Sequence, residues 1–452
     1  MTSLLLKAGR IVTMDPARRV ITGGAVRIEG QRIAAVLDAG ELRSLPPFAG
    51  EVVDAPHAVI IPGFVQTHLH LCQTLFRGLA DDLPLLDWLR LRIFPLEAAH
   101  TPSSMYASAR VGLLELIGSG TTTIMDMGSI AHEEEIVRAI GESGMRAFVG
   151  KALMDINEPY PRLQEPTRVA IRSAAEEAKA WHGSAGGRIM YAVAPRFVLS
   201  CTDTLLREAA ALAADVPGAL LHTHAAENRA ELDAVHRRCG MENIEYFGRL
   251  GILGANTCLA HCIWLQDREI DLLAERECRV LHCPSSNLKL GSGIARIPAM
   301  LQKGILVSLG ADGAPCNNML DMFEEMRLAA LLQKPLHGAA AMPAADVFAL
   351  ATVGGAKTLG LFHDIGSIET GKKADLVLLD LRKPWNPLQP DGSGDVYSAI
   401  VYSGRPANVD SVLIDGAWVY RGAEYPHLDP ERIIADARAE LVRVLQRVEW
   451  TS

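Results

Sequence analysis

The 452-residue chain lacks any apolar run long enough to cross a bilayer, which excludes a helical membrane protein. It also lacks an excess of basic residues. The formal charge is −9, with 44 Lys and Arg against 53 Asp and Glu, whereas a nucleic-acid footprint needs a basic surface. No short repeat or low-complexity tract is present, which argues against a solenoid. The cysteines at 72, 201, 239, 258, 262, 278, 283 and 316 are scattered and include no Cys-x-x-Cys pair. The opening stretch MTSLLLKAGRIVTMD shows no charged leader, long apolar core or small-residue cleavage site. Free thiols and a cytoplasmic compartment are therefore expected. Aromatic residues make up 5%, within an ordinary soluble globular composition.

What the chain does have is a regular alternation. Apolar runs at 58–64, 121–127, 146–152, 188–194, 219–223, 257–260, 279–281 and 305–309 are separated by segments of helical pattern. Continuous apolar runs are the mark of buried parallel strands. Eight βα units predict an α/β fold, a (β/α)8 TIM barrel over residues 58–363. The flanks, 1–57 and 364–424, read as short strands with turns and predict a small β-sandwich built from both chain ends. Residues 425–452 carry helical periodicity.

The unusual polar residues fall where strands end. His68 and His70 follow the first run, in PGFVQTHLH. His222 and His224 end the fifth, His261 the sixth and His282 the seventh, and Asp312 follows the eighth. Strand ends at that face of a barrel carry catalytic groups. Residues i and i+2 of an extended segment share a side, so His68 and His70 can face one ion. A lone His-x-His is weak evidence; joined by His224 and Asp312 it predicts one divalent metal per chain. Zn²⁺ suits these ligands, with Fe²⁺ or Mn²⁺ as alternatives. Glu227, three residues beyond His224, can stand beside such an ion and move protons. An exposed glutamate in a first helical turn is the simpler account of Glu227 taken alone.

These stretches, with HTHAAE, LAHCIWL, HCPSSNLKLGSGIA, LGADGAPCNNMLDMFEE and GKKADLVLLD, resemble the amidohydrolase superfamily in its aminohydrolase branch. The likeness covers nearly the whole chain and is nearest to deaminases of 5′-methylthioadenosine, S-adenosylhomocysteine and 5′-deoxyadenosine. It implies a hydrolase acting on C–N bonds of cyclic amidines. The implied metal ligands are His68, His70, His224 and Asp312, and the implied catalytic residues are Glu227, His261 and Asp312. His222 and His282 match no metal position and are expected to be satisfied structural histidines. Trp88 and Glu97 match positions that pack a nucleoside and bond its ribose hydroxyls. Arg162 aligns with an arginine of that pocket, and Lys151 stands where a second arginine is common.

One departure concerns APRFVLSCTD, where the nucleoside deaminases carry Pro-His. Arg196 and Phe197 resemble the base-binding pair of guanine deaminases, and Gln73 matches a base-contacting glutamine there and in triazine hydrolases. The implied substrate is an aminoheterocycle or nucleoside: an adenosine-type nucleoside first, with guanine or an amino- or chlorotriazine as alternatives. A non-catalytic scaffold would be expected to have lost ligands or the acid, and all six positions are present. Homo-oligomerisation stays open.

Overall fold

The computed structural model describes residues 3–386 and 394–450. Residues 387–393, within the expected 364–424 segment, lie outside the described residues. Two compact units emerge: Met1–Val65 with Glu115–Thr123 and Asp321–Leu428, and Gln66–Leu114 with Ile124–Leu320 and Asp429–Ser452.

In the first unit both chain ends enter one hydrogen-bonded sheet. Its order is Ala417–Arg421, Val409–Ile414, Leu376–Asp380, Glu51–Pro62, Ser3–Val12, Ala25–Glu29, Arg32–Leu37. The strand Glu51–Pro62 is its hinge in sequence. It runs parallel to Ser3–Val12 and antiparallel to Leu376–Asp380, with Ile60 opposite Leu378. Leu4, Leu6, Ile28, Ile60, Leu376 and Leu413 bury their side chains together. Burial is not confined to one face, since Leu5 and Ala25 are buried beside Leu4, Leu6 and Val26. Phe64 meets Phe323 edge-on at 5.1 Å within the same unit.

Eight parallel strands carry the site: β1 Phe64–His70, β2 Thr121–Asp126, β3 Arg146–Val149, β4 Ile189–Pro195, β5 Leu220–Ala225, β6 Thr257–His261, β7 Arg279–His282 and β8 Leu306–Leu309. They neighbour one another in chain order, and Asp312–Gly313, just after β8, pairs with β1 and brings the sheet round on itself. Seven of the eight expected runs match these strands in position. The first is displaced: Ala58–Phe64 was expected to open the barrel, but residues up to Pro62 belong to the sheet of the chain ends. The apolar run continues unbroken across Pro62 and Gly63, so hydrophobicity could not show where one sheet hands over to the other. The expected domain boundary at 57/58 accordingly falls inside the strand Glu51–Pro62.

The last helix, Pro430–Arg447, belongs to the second unit. Asp429 caps it by accepting from Arg432 N, and proline occupies its first turn. Ile433, Ala437, Glu440 and Val444 lie on its buried face at helical spacing. Ala437 and Val444 pack with Leu75, Phe76 and Leu96. Among the described residues no helix is long and apolar enough to cross a membrane.

Candidate active site

Four side chains converge at the strand ends of the second unit. His68 and His70 leave β1 on one side, His224 comes from β5, and Asp312 from the short strand Asp312–Gly313 after β8. One ligand atom of each lies within 4.8 Å of all the others. His68 Nε2 and His70 Nε2 are each 3.3 Å from Asp312 Oδ1, and His70 Nε2 is 3.3 Å from His224 Nε2. Ligands about 2.1 Å from one tetrahedral ion would stand about 3.4 Å apart, so this spacing fits a shared metal.

The far sides of the imidazoles support the same reading. His70 Nδ1 donates to Met127 O and His224 Nδ1 to Arg196 O, both at 2.7 Å. A carbonyl can only accept, so in both rings Nδ1 carries a proton, and in the neutral form of each the lone pair of Nε2 faces the cluster. His68 Nδ1 bonds His222 Nε2 at 2.7 Å. With His68 held in the same tautomer, His222 is the acceptor, so it orients a ligand rather than being one. Burial lowers the pKa of His68 to about 4, which keeps its ring neutral and able to ligate. His282 was expected to be satisfied and is not. Neither of its ring nitrogens has a partner among the described residues, and burial lowers its pKa to about 3.

Asp312 sits in a left-handed backbone conformation, φ +63°, and so does His261, φ +72°. Such angles are uncommon outside glycine and concentrate at functional positions. Gly310 allows the approach, because a Cβ there would come within 2.6 Å of His68 O. Asp312 Oδ2 accepts from Ser286 Oγ at 2.6 Å. His261 Nδ1 lies 2.9 Å from Asn287 Oδ1, while its Nε2 lies 3.4 Å from Glu227 Oε2 and 3.8 Å from Asp312 Oδ2. One short helix, Pro284–Lys289, therefore steadies two of these groups. Neither Ser286 nor Asn287 was singled out in the sequence, although both stand in the HCPSSN stretch.

The two carboxyl groups differ sharply. Burial, with help from Asp312 and Glu231, pushes Glu227 well above the usual carboxylate range. Burial acts on Asp312 in the same sense, but the bonds from His68 and His70 outweigh it and hold Asp312 well below that range. Opposite shifts in neighbouring acids separate an acid from a base.

A cavity opens onto these groups, lined also by Gln73, Leu85, Trp88, Leu89, Arg196, Phe197 and Leu290. Three expected pocket residues are elsewhere. Lys151 is buried against Glu165 Oε2 at 2.7 Å and Ser173 Oγ at 3.1 Å, since its side chain turns toward the helix Thr167–Trp181. Arg162 is 62% exposed and pairs with Glu449 at the surface. Glu97 is buried but not in the cavity wall. Arg196 Nη1 and Nη2 reach its two oxygens at 2.7 and 3.0 Å, and Gln73 Nε2 donates at 2.8 Å. Burial alone would raise the pKa of Glu97; the charge and bonds of Arg196, with His70 and the Gln73 bond, together outweigh it and leave it lowered.

That pair has a measurable consequence. Arg196→Ala is expected to cost about 3–5 kcal/mol, because it strands a buried carboxylate. Urea unfolding would report it, and a loss below roughly 1 kcal/mol would mean that Glu97 does not depend on Arg196 for its charge.

The sequence pattern of the amidohydrolase family matches residues 59–419. The chain is 42% identical over 439 residues to 5′-deoxyadenosine deaminase of Methanothermobacter thermautotrophicus, covering 97% of both. It is 36% identical over 450 residues to the 5-methylthioadenosine/S-adenosylhomocysteine deaminase of Pelotomaculum thermopropionicum, covering 99% of this chain and all of that one. The crystal structure of an adenosine deaminase from Xanthomonas campestris, with bound zinc, superposes with a TM-score of 0.90 at 31% identity, over 98% of this chain and 99% of the other. With the strand-end cluster and the barrel in place, these likenesses show that the chain belongs to the amidohydrolase family.

Proposed function

We propose that this chain hydrolytically deaminates an adenosine-type nucleoside with a modified 5′ end, such as 5′-deoxyadenosine or 5′-methylthioadenosine, and releases ammonia. The observation that carries the reading is the placing of Glu227, raised and unligated, beside a four-residue metal cluster. Its support on substrate comes from relatives that are 36–42% identical over nearly the whole chain and are named for such nucleosides. Zinc is proposed as the resident ion, one per chain, held by His68, His70, His224 and Asp312. The proposal extends to the cytoplasm, where the eight free thiols would stay reduced.

A divalent ion at this cluster supplies a Lewis acid that makes water a nucleophile near neutral pH. The chain's own groups then divide the work. His261 Nε2 faces both carboxylates and holds the attacking water between them. Asp312, ionised, takes one proton as the water oxygen attacks the carbon bearing the amine. Glu227, protonated, gives its proton to the adjoining ring nitrogen, which interrupts the aromatic system. Asp312 passes its proton to the amine, which leaves as ammonia. The remaining hydroxyl proton returns to Glu227 as the carbonyl forms. Each acid starts and ends in the same state.

Guanine is the second reading. Arg196 and Phe197 line the cavity, whereas Glu97, expected to receive ribose hydroxyls, is closed off from it. Steady-state kinetics decide between them. The nucleoside reading expects kcat/KM for 5′-deoxyadenosine to exceed that for guanine by about 100-fold. A clear preference for guanine would replace it.

A further inference from the structure

Lys289 ends the short helix Pro284–Lys289 that steadies Asp312 and His261, and its ammonium is fully engaged. An ammonium has three protons to donate. Lys289 Nζ donates to Pro315 O at 2.9 Å and to Asn318 Oδ1 at 3.0 Å, and it pairs with Asp81 Oδ1 at 2.5 Å. These acceptors lie on two other segments of the second unit. Pro315 and Asn318 belong to the short helix Ala314–Asn317 and its cap, directly after Asp312–Gly313. Asp81 stands just before the helix Leu85–Trp88, from which Leu85 and Trp88 line the cavity. One side chain thus joins the helix that holds His261, the segment that follows Asp312, and the approach to the Trp88 wall.

The joins differ in strength. Toward Asp312 the connection is doubled: Ser286 Oγ donates to Asp312 Oδ2 at 2.6 Å, and one turn further Lys289 holds Pro315 O. Toward the wall it is looser. Residues 77–84 form neither helix nor strand. Gly78 N reaches the same Asn318 Oδ1 at 3.3 Å, and Leu290, beside Lys289, packs with Leu85 and Trp88 in one apolar cluster. The Asp81 side chain is 43% exposed and that of Lys289 23%, so salt screens their pair and it contributes little to global stability. It can still govern a local equilibrium, because opening one segment costs far less than unfolding the chain.

We propose that Lys289 is a positioning residue and that its ion pair with Asp81 is a latch holding the wall of Leu85, Trp88 and Leu89 against the catalytic helix. With the latch made, the wall meets the substrate preformed. With it broken, binding must first order residues 77–84, so affinity falls while the chemistry of a bound molecule is unchanged. The other two bonds of Lys289 bear on the placing of Asp312, so their loss slows the chemical step. The inference rests on the cavity being the substrate site proposed above, but not on which amine enters it.

The test compares zinc-loaded wild type, Asp81→Asn, Asp81→Glu, Lys289→Met and the double variant Asp81→Asn/Lys289→Met, on the faster of 5′-deoxyadenosine and guanine. Amide hydrogen exchange over residues 77–84 is followed in each protein without substrate. Asp81→Asn should raise KM about three- to fivefold with kcat within about twofold, and should speed exchange over 77–84. Its melting temperature should move by less than about 2 °C. Asp81→Glu, which keeps a carboxylate for Lys289, should restore KM. Lys289→Met should show the same rise in KM and also lower kcat about tenfold, at unchanged metal content. In the double variant the Asp81 change should add nothing to KM. Wild-type KM should rise about threefold between about 0.05 and about 1 M salt, and that of Asp81→Asn should not. Wild-type KM and exchange in Asp81→Asn would overturn the latch. So would parallel losses of kcat, metal and melting temperature across the variants, which mark a merely structural role. If neither substrate is turned over the deaminase reading fails, and exchange over 77–84 still decides the latch.

Discussion

His68→Ala should lose its metal and about 10⁴-fold or more of kcat/KM. His68 is fully buried, and its Nε2 is one of four ligand atoms gathered within 4.8 Å. Removing the ring leaves two histidines and a carboxylate, with a gap on the β1 side, and water loses its activating ion. Metal analysis of the dialysed protein and kcat/KM on the best amine substrate are the readouts, with circular dichroism to confirm the fold. A variant that keeps one ion per chain and near-normal turnover would mean that the ligands have been misassigned.

Glu227→Gln should behave differently: full metal content, little change in KM, and kcat lower by about 10³-fold. The substitution keeps shape and volume. It leaves the Glu227 N–H on Glu231 Oε2 at 2.8 Å, so the backbone stays fixed. What it removes is a proton that burial keeps on the carboxyl well above its usual range. In wild type, turnover should fall as pH rises through that elevated pKa, because the deprotonated acid has nothing to give the ring nitrogen. Near-normal kcat in the amide variant would show that another group supplies the proton.

The metal cluster was legible because each ligand stands at a strand end, in a local pattern of apolar run followed by histidine or aspartate. His-x-His, His224 with Glu227, and Asp312 after the eighth run all have short-range signatures. The helpers do not. His222 looked structural because its bond to His68 joins residues 154 positions apart. Glu97 and Arg196 are 99 positions apart, and nothing around either announces the other. Likeness alone made Glu97 a hydroxyl-binding group, yet Arg196 at the departing position draws it into an internal pair. Lys151 and Arg162 stand away from the cavity for a related reason. Long cationic side chains go where a carboxylate is available, and Glu165 and Glu449 were closer than the cavity. The displaced first strand shows that an apolar run reveals burial but not the partner strand.

The sheet of the chain ends also sets an order of events on the ribosome. Glu51–Pro62 pairs on one edge with Ser3–Val12, which is made before it, and on the other with Leu376–Asp380, more than 300 residues later. At 5–20 residues per second the second partner arrives roughly 15–60 s after Glu51–Pro62 itself. Through that interval Val59, Ile60 and Ile61 form an open hydrophobic edge, the kind of template on which nascent chains aggregate. The whole barrel emerges meanwhile, so this edge of Glu51–Pro62 is closed only after the barrel strands have been made.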